Sequence, residues 1–526
     1  MTTRGVLQAI IEQGRTGPER PGVKDLDREL SYGELLDEAA RVGAAMAAQG
    51  VVEGDRVALL LPNSVDFVVA ALSCLWIGAI FVPLAVTDPD ARVATIVADC
   101  APSMVVIAEG RDDPPPLGPF PLVPISALRS EQVDPVAPIA DSSRVAYAIY
   151  TSGTTGTPKG VLIGNDAFRA AVEAASTALG LDRSTRTLCV SPFYFDGSFG
   201  TLFPTLYSGG AVVIRPREAL LFPRTFFNAV AKEGITYTGF SPSYLRLLLG
   251  SPQIAKLGDS ALDVIALGGE ASSIADLRSL WAAAPHVRVF NRYGPTEATI
   301  AVTHVQLSPE LVADGAVPMG EPHPGTSFHL MDEEGAMVDE PDRIGELYIG
   351  GVQLMVGYWG AQALTEEVLR TDVVPGLTVY RTGDLVYRDG NGHYVYVDRA
   401  DRVIKRSGVR ISLVELGEAM RSLDGVSAAA AVMFDHGGEP GIVAFVVADG
   451  PVDQLGLLKA ARERLPESML PNRIELVEGL PLTSSSKIDE RLLLSEAGLP
   501  ALRSDNTAGG IRAQAGSAPA GTSAPS

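Results

Sequence analysis

The chain has 526 residues, which suggests two or more folding units, and 46% of them are apolar, enough for a large buried core. A formal net charge of -21 argues against nucleic acid or an anionic membrane as a partner. The three cysteines form no CxxC pair and the six histidines show no metal-ligand spacing. This cysteine usage is typical of a reducing compartment, so we expect a cytoplasmic protein.

One segment is long and apolar enough to suggest a membrane span. Residues 67–86 form a run of twenty without a charge. Gly78 and Pro83 interrupt this run, so we predict a buried helix over 65–77 followed by a buried strand over 79–84. The N-terminal apolar run is too short for a signal peptide.

The first four hundred residues alternate between helical and strand patterns. An amphipathic helix over 30–49 begins at Ser31, and Glu34 three residues later completes a capping box. Another helix is predicted over 167–178. Further strands are predicted at 56–61, 104–108, 145–149, 187–191, 211–215, 235–240, 262–267 and 287–291. This alternation predicts an α/β fold with mostly parallel sheets.

The pattern changes after Gly345. Short strands at 347–350, 377–380 and 394–397 indicate a β-rich subdomain, and an α+β pattern follows residue 401. The last residues are rich in Ala, Gly, Ser, Thr and Pro, which is typical of disorder. We therefore predict a large N-terminal domain at 1–400, a small α+β C-terminal domain at 401–497 and a disordered tail at 498–526.

The stretch from Tyr150 to Val161 carries the strongest functional pattern. It follows an apolar strand and holds five hydroxyl residues, three glycines and Lys159 within ten positions. Backbone amides, hydroxyls and a lysine can all donate to phosphate oxygens. The spacing is not that of a Walker loop, because Pro158-Lys159-Gly160 stands where Gly-Lys-Ser/Thr would be required.

This stretch resembles the phosphate loop of the adenylate-forming enzymes, which include acyl-CoA synthetases, luciferases and the adenylation domains of nonribosomal peptide synthesis. Further segments match the same family in the family's order, and the resemblance covers nearly all of residues 30–495. These segments are 291–297, 345–350, 380–385, 398–401, 405–410 and 480–489. The resemblance implies ATP and Mg²⁺ as cofactors and a mobile C-terminal domain.

The resemblance assigns most of the nucleotide site to two segments. The phosphate-loop residues are Thr151, Ser152, Gly153, Thr154, Thr155, Gly156 and the catalytic Lys159. In the second segment Glu297 is expected to hold Mg²⁺, because hard oxygen ligands suit that ion. Tyr293 would stack on adenine, Asn291 would contact the adenine edge, Gly294 lies beside them, and Thr296 would reach the α-phosphate.

Four further positions follow from the same resemblance. Asp384 would accept hydrogen bonds from two ribose hydroxyls, and Arg399 would also reach the ribose. The family usually has glycine where Asp398 stands. Asp401 matches the hinge about which the small domain rotates. Lys487 matches the catalytic lysine that binds the substrate carboxylate and an ATP oxygen, where charge develops during adenylation.

Asp196 decides the branch of the family. An aspartate inside an aromatic and apolar run is costly unless it meets a cation or hydrogen-bond donors. In amino-acid-adenylating domains an aspartate at this place pairs with the substrate ammonium; the alternative is a hydrogen-bonded core aspartate. Alignment to that subfamily gives the other pocket positions as Gly197, Gly200, Gly239, Ala266, Gly268, Arg292, Ile300 and Ala301.

Arg292 is unusual in such a pocket, because a buried guanidinium requires an anion nearby. One hypothesis is a substrate with a second acidic group: aspartate, glutamate, a methylated aspartate, or a β-amino acid with a free α-carboxylate. The competing interpretation is that Arg292 pairs with an acidic residue of the protein and only walls a roomy pocket.

We therefore predict an amino acid adenylation enzyme. It would form aminoacyl-AMP and transfer the aminoacyl group to the phosphopantetheine thiol of a separate carrier protein, since no carrier region is found in the sequence. No nucleic acid or membrane partner is expected. Two alternatives remain: an acyl- or aryl-CoA ligase, which Asp196 disfavours, and a nucleotide-binding protein without catalysis, which the presence of Lys159 and Lys487 disfavours.

Overall fold

The fold is taken from a computed structural model. It describes residues 5–109, 117–131, 133–139, 145–152, 158–400, 403–406, 409–436, 439–450, 452–464, 470–483 and 487–501. Internal contacts divide the chain into two compact units. The large unit comprises Met1–Tyr396 with Thr483–Lys487, and the small unit comprises Val397–Leu482 with Ile488–Ser526.

Helices occur throughout the described chain. They are α1 (Val6–Thr16), α2 (Tyr32–Ala48), α3 (Val65–Ile77), α4 (Asp90–Cys100), α5 (Ile125–Ser130), α6 (Asn165–Leu179), α7 (Phe199–Ser208), α8 (Arg217–Leu220), α9 (Pro223–Glu233), α10 (Pro242–Leu249), α11 (Ile274–Ala283), α12 (Gln362–Val368), α13 (Leu413–Arg421), α14 (Gln454–Arg464) and α15 (Glu490–Glu496). Short 3-10 turns lie at Asp196–Ser198, Pro252–Asp259 and Thr296–Ala298.

The strands lie between these helices and after them. They are β1 (Pro21–Lys24), β2 (Glu29–Ser31), β3 (Arg56–Leu60), β4 (Ile80–Pro83), β5 (Met104–Ile107), β6 (Leu122–Pro124), β7 (Val145–Ser152), β8 (Pro158–Gly164), β9 (Arg186–Cys189), β10 (Ala211–Ile214), β11 (Tyr237–Phe240), β12 (Val264–Gly268), β13 (Arg288–Tyr293), β14 (Thr303–Leu307), β15 (Thr326–Met331), β16 (Gly345–Gly351), β17 (Gly357–Tyr358), β18 (Leu369–Val374), β19 (Leu377–Arg388), β20 (Tyr394–Arg399), β21 (Val403–Arg406), β22 (Val409–Ser412), β23 (Val426–His436), β24 (Glu439–Ala448) and β25 (Arg473–Leu476).

Two large sheets form the framework of the large unit. One runs in the order β14-β13-β12-β11-β9-β10-β1-β2, and the other in the order β17-β8-β7-β4-β3-β5-β6. Inner neighbours are parallel, whereas β13–β14, β1–β2, β7–β8 and β8–β17 are antiparallel. The predicted α/β class with mostly parallel sheets is confirmed.

The charge-free run at 67–86 folds as predicted. α3 is buried along nearly its whole length and ends at Gly78 in the left-handed conformation, and β4 follows it. None of the helices in the described part of the chain is long and apolar enough to cross a bilayer. The predicted capping box of α2 is also present, with Ser31 and Glu34 bonded reciprocally.

A third sheet, in the order β15-β16-β19-β18 with β20 beside β19, confirms the predicted β-rich region. The sequence predicts only a short strand at 377–380, whereas β19 continues to Arg388. Gly383 has a φ of +73° inside this strand, and the register with β16 shifts at the same place. The glycine therefore forms a β-bulge within one continuous strand.

The small unit is an α+β structure. β23, β24 and β25 form its three-stranded sheet, and α13 packs on β23. Leu413, Leu416 and Ala461 are among the residues of its core. Residues 498–501 of the predicted tail are described, and Leu499 packs against a cluster that includes Phe434; residues 502–526 lie outside the described part.

Candidate nucleotide and substrate site

The phosphate loop connects the two antiparallel strands β7 and β8. Thr151 faces Lys159 across this hairpin, and Ser152 faces Pro158. Gly153, Thr154, Thr155 and Gly156 lie outside the described residues. The sequence places a helix after the loop without an intervening strand, but β8 comes first and also pairs with β17. Pro158 and Gly164 at its ends, with Gly160 inside it, hide this strand from a propensity argument.

Lys159 and Glu297 meet at Tyr358. The Lys159 ammonium lies 5.7 Å from the centroid of the Tyr358 ring, a cation–π distance. The Tyr358 hydroxyl donates to Glu297 Oε1 over 2.8 Å. Burial, followed by the charge of Glu297, raises the pKa of Tyr358, so its hydroxyl remains a donor. Tyr358 is not among the predicted site residues and lies outside the segments that carry the resemblance.

No group of three or more acidic, histidine or cysteine side chains within the described ranges could hold a metal ion alone. Glu297 is therefore a single fixed carboxylate. This donor set fits Mg²⁺, which keeps several waters and is usually bound by one or two carboxylates together with substrate phosphates. It does not fit a dedicated metal centre made only of protein ligands.

Tyr293 and Asp384 are in direct contact. The Tyr293 hydroxyl donates a short hydrogen bond to Asp384 Oδ2, and the Asp384 amide donates to the Thr382 hydroxyl over 2.9 Å. Burial and then the Asp384 charge raise the pKa of Tyr293 well above its usual value. The β19 bulge and the end of β13 thus bring together the residues expected at ribose and adenine. Asn291 is also buried, and its amide nitrogen donates to the Pro318 carbonyl over 2.8 Å.

The segment after Thr296 is held in an unusual backbone conformation. Thr299 and Ile300 have φ values of +59° and +69°, rare for β-branched residues. A Cβ at Gly294 would lie 2.5 Å from Ala301 Cα, so only glycine permits this close crossing. Ile300 and Ala301 are both buried. The segment is therefore fixed tightly beside the ends of β13 and β14.

Asp196 is 3% exposed in the 3-10 turn that precedes α7, and its Oδ2 atom is buried without a hydrogen-bond partner. Burial raises its pKa to about 6, and the nearby Glu297 charge also raises it. The Thr296 hydroxyl, the Lys487 charge and the Gly197 amide oppose this rise. A buried carboxylate with one free oxygen is able to accept a hydrogen bond from an added cation.

Arg292 is 7% exposed and has few partners. Its Nη2 donates to the Gly197 carbonyl over a long 3.4 Å, and its Nη1 is buried without a partner. Within the described ranges it forms no ion pair with an acidic residue. Those residues therefore give no support to the interpretation in which Arg292 pairs with a protein acid.

The small residues around Arg292 accommodate its side chain. A Cβ at Gly268 would lie 2.5 Å from Arg292 Cγ, one at Gly200 3.0 Å from Nη1, and one at Gly239 3.3 Å from Nη2. Ala266 is paired with Gly239 across β11 and β12. The Arg292 side chain therefore fills much of the space beside these glycines.

Lys487 contacts the large unit, to which Thr483–Lys487 belongs. Its ammonium lies 5.9 Å from the centroid of the Phe195 ring, and its charge lowers the pKa of Asp196. Its amide donates to the Thr483 hydroxyl over 3.1 Å. Lys487, Thr296 and Asp196 are therefore close together, as a shared substrate site requires.

Two predicted residues are not placed with this group. Arg399 belongs to the small unit, where its amide donates to Asp398 Oδ1 over 2.8 Å. Asp398 Oδ2 also accepts from the Val414 amide over 3.2 Å, so the aspartate that replaces the family's glycine has a local structural role. Asp401 lies outside the described residues.

Comparison with known proteins shows the family of the chain. A family model described as AMP-binding enzyme matches residues 10–359. The chain belongs to the AMP-binding enzyme family. A second model, the AMP-binding enzyme C-terminal domain, matches residues 415–487.

Relatives of this family member include much longer proteins. The chain is 29% identical over 520 residues to surfactin synthase subunit 2 of Bacillus subtilis, covering 96% of this chain and 14% of the relative. It is 33% identical over 510 residues to isonitrile lipopeptide synthase of Streptomyces coeruleorubidus, covering 94% of this chain and 34% of the relative. The chain thus spans only a small part of these relatives.

Solved structures support the same fold. A four-domain nonribosomal peptide synthetase bound to AMP and glycine superposes with a TM-score of 0.82 at 27% identity, covering 93% of this chain and 37% of that one. The o-succinylbenzoate CoA synthetase of Bacillus subtilis with ATP and magnesium superposes with a TM-score of 0.79 at 23% identity, covering 92% and 98%. At that lower identity the likeness concerns the fold alone.

Proposed function

We propose that this AMP-binding enzyme activates an amino acid with ATP and Mg²⁺ and passes it to a carrier protein. In the first step a carboxylate oxygen of the amino acid bonds to the α-phosphorus of ATP, and pyrophosphate leaves. In the second step the phosphopantetheine thiol of the carrier bonds to the acyl carbon, AMP leaves, and the thiol proton passes to solvent.

The observation that carries the amino acid assignment is the partly satisfied Asp196 carboxylate. It is buried and its Oδ2 lacks a partner, and both features are costly without a cation. A substrate ammonium would donate to Oδ2 and restore the ordinary ionisation of the carboxylate. The neighbouring Lys487 and Thr296 would then face the other end of the amino acid, its carboxylate.

Each remaining residue has a role that follows from charge. Lys159 and Lys487 would offset negative charge at the phosphates and at the attacking carboxylate, which counts strongly where water is excluded. Glu297, fixed by Tyr358, would hold Mg²⁺, which would neutralise charge on the phosphate oxygens. Asp384 would bind the ribose hydroxyls, and Arg399 is also expected at the ribose.

We further propose that the amino acid carries a second acidic group that pairs with Arg292. The guanidinium is buried, has an unpartnered Nη1 and contacts no protein carboxylate in the described chain. An uncompensated buried charge costs several kcal/mol, so a substrate anion would bind strongly here. Large neutral side chains gain nothing from Arg292 and meet a pocket that its side chain already fills.

ATP–pyrophosphate exchange with a panel of amino acids tests these proposals. We expect exchange to be highest with acidic amino acids and lost in Asp196→Asn, and we expect Arg292→Ala to remove the acidic preference. Arg183→Ala, at an exposed position that is not among the proposed site residues, is the control. Preference for large neutral side chains that survives Arg292→Ala would disprove the acidic assignment.

The acceptor needs a separate measurement. Thioester formation is compared with a phosphopantetheine-loaded carrier protein and with free CoA, after the preferred amino acid is known. We expect the carrier to be acylated. Transfer to free CoA alone would identify a CoA ligase instead, and absence of exchange with every acid tested would indicate a nucleotide-binding protein without catalysis.

A further inference from the structure

Three polar side chains are linked by hydrogen bonds next to Arg292 and the 299–301 segment. His304 Nδ1 lies 2.9 Å from His323 Nε2, and His323 Nδ1 lies 2.9 Å from Gln353 Oε1. The two imidazole rings are stacked, 8° from parallel. Neither histidine nor Gln353 belongs to the pocket positions predicted from the sequence, so the predicted site does not account for these hydrogen bonds.

Gln353 determines which atom donates in each of these hydrogen bonds. Its Nε2 donates to the Ala301 carbonyl over 2.8 Å and to the Thr299 carbonyl over 3.3 Å, so its Oε1 must be the acceptor. His323 Nδ1 therefore carries a proton, and the Nε2 of neutral His323 is an acceptor. His304 Nδ1 must then donate to it, which leaves Nε2 of a neutral His304 as a bare lone pair.

His304 is a close neighbour of Arg292, whose charge is one of the causes that lower the His304 pKa. His304 on β14 is directly opposite Arg292 on β13, so the two side chains occupy the same face of the sheet. Gly268 is the register partner of Arg292 on the other side, so the row of pocket residues continues to His304. His304 Nε2 is buried without a partner, as is Arg292 Nη1. Two neighbouring residues thus carry an unpaired buried acceptor, His304 Nε2, and an unpaired buried donor, Arg292 Nη1.

The surroundings of His304 keep it neutral in the ligand-free protein. Burial, the neighbouring His323 and the Arg292 charge together lower its pKa well below the usual value. Burial also lowers the pKa of His323, although its bond to Gln353 opposes the change. Helix α6 also contacts β14, and its charged residues, Asp166, Arg169 and Glu173, are not among the causes of the shift.

We propose that His304 is a specificity-determining residue that distinguishes a substrate carboxylate from the isosteric carboxamide. Neutral His304 complements an amide, whose oxygen accepts from Arg292 while its NH₂ donates to His304 Nε2. A carboxylate at the same place has no hydrogen to donate and is repelled by the lone pair. It still pairs with the Arg292 charge, and it binds more tightly when Nε2 takes up one proton from solvent and becomes a donor.

This inference rests on the proposed activation of an amino acid, and it predicts how pH changes the choice. Binding of the acid is coupled to one proton, whereas binding of the amide is not. The ratio of acid to amide activation therefore rises as pH falls, by up to about tenfold per pH unit, the limit for one coupled proton. Arg292 binds an oxygen of the acid or of the amide at every pH, so the change in the ratio comes from the proton on His304.

The test measures kcat/KM in pyrophosphate exchange for aspartate with asparagine and glutamate with glutamine, between pH 6 and pH 9. In the wild-type protein we expect the acid-to-amide ratio to increase as pH falls. In His304→Gln, which can accept and donate but does not titrate, we expect a ratio independent of pH. His393→Gln, at a histidine in the exposed hairpin near Asp389, is the matched control and should retain the wild-type slope.

The outcomes separate this inference from the proposed function. A wild-type ratio that does not change with pH, or an unchanged slope in His304→Gln, overturns the role of His304 while exchange itself continues. Absence of exchange with both members of each pair also overturns it, and exchange with other amino acids would then still support the adenylation activity. His323→Leu provides a second variant. It removes the acceptor that keeps the proton of neutral His304 on Nδ1, so the dependence of the ratio on pH should weaken.

Discussion

At the scale of single residues, the Asp196 carboxylate that we propose binds the substrate ammonium lowers the stability of the unliganded protein. Because its pKa is raised to about 6 in the folded chain, the ionised carboxylate destabilises the unliganded protein at higher pH. We expect Asp196→Asn to stabilise the protein at pH 8 by up to about 3 kcal/mol, the value of two pKa units. The gain should shrink as pH falls through 6 and vanish near 4, where both states are protonated.

Thermal and urea unfolding of the two proteins at pH 8, 6 and 4 measure this effect. Asp276→Asn is the control, because that buried aspartate is already paired with Arg246 and its substitution should destabilise. Equal stability of wild type and Asp196→Asn at pH 8 would mean that Asp196 already has a compensating partner.

Gly200 offers a test of how closely Arg292 is packed. A Cβ there would lie 2.6 Å from Ile300 Cγ2 and 3.0 Å from Arg292 Nη1. We expect Gly200→Ala to raise KM for the amino acid at least about tenfold, the effect of losing about 1.4 kcal/mol, and to leave KM for ATP unchanged. Gly250→Ala, whose Cβ would meet nothing closer than 3.6 Å, should change neither value.

The sequence predicts some of these residues and misses others for a physical reason. Asp196 and Arg292 are visible because a charge inside an apolar pattern needs a partner. The packing of Arg292 against Gly268 is invisible, because it depends on which strands are neighbours. His304 and His323 are nineteen positions apart with no recognisable spacing, and only the register of β14 with β13 and the Gln353 contact give them a role.

At the scale of elements, the helices with clear caps were the most predictable. Ser31 and Glu34 identify the start of α2, and the structure has the complete capping box. β8 was missed because glycine and proline at its ends mimic a loop, although its pairing with β7 positions Lys159 opposite Thr151. Short strands between turn residues have too little pattern to reveal their partners.

The capping box provides a prediction for α2. The Ser31 hydroxyl accepts from the Glu34 amide over 3.3 Å, and its loss leaves a helix donor unpaired. We expect Ser31→Ala to lower the free energy of unfolding by about 1 kcal/mol, measured in urea. Ser279→Ala, in the exposed middle of α11, should be close to neutral. If both substitutions change the free energy of unfolding equally, the Ser31 cap does not stabilise α2.

At the scale of the whole molecule, the net charge of -21 opposes the binding of a polyanion. Mg²⁺ should therefore matter greatly for ATP. We expect ATP with Mg²⁺ to raise the thermal midpoint, since a ligand at a hundred times its Kd contributes about 2.7 kcal/mol. With EDTA, or in Glu297→Gln, the increase should be much smaller; Glu310→Gln is the exposed control. An increase of equal size without Mg²⁺ would contradict the role assigned to Glu297.

The fold class also belongs to this scale, and the sequence predicts it well. Alternating helix and strand patterns imply mostly parallel sheets, which the structure contains. The order of the strands is a different matter, because crossovers place β1 beside β10 and β9 beside β11. Contacts between residues so distant in sequence leave no local pattern.

The strained backbone at Thr299 and Ile300 has a consequence for engineering. Left-handed β-branched residues cost about 1–3 kcal/mol each, and Gln353 holds the segment in place through the Thr299 and Ala301 carbonyls. Glycine at either position would adopt the same positive φ without that cost, and it would leave the backbone of this segment more flexible. Libraries that seek a more permissive enzyme should therefore vary these two backbone positions before enlarging the cavity itself.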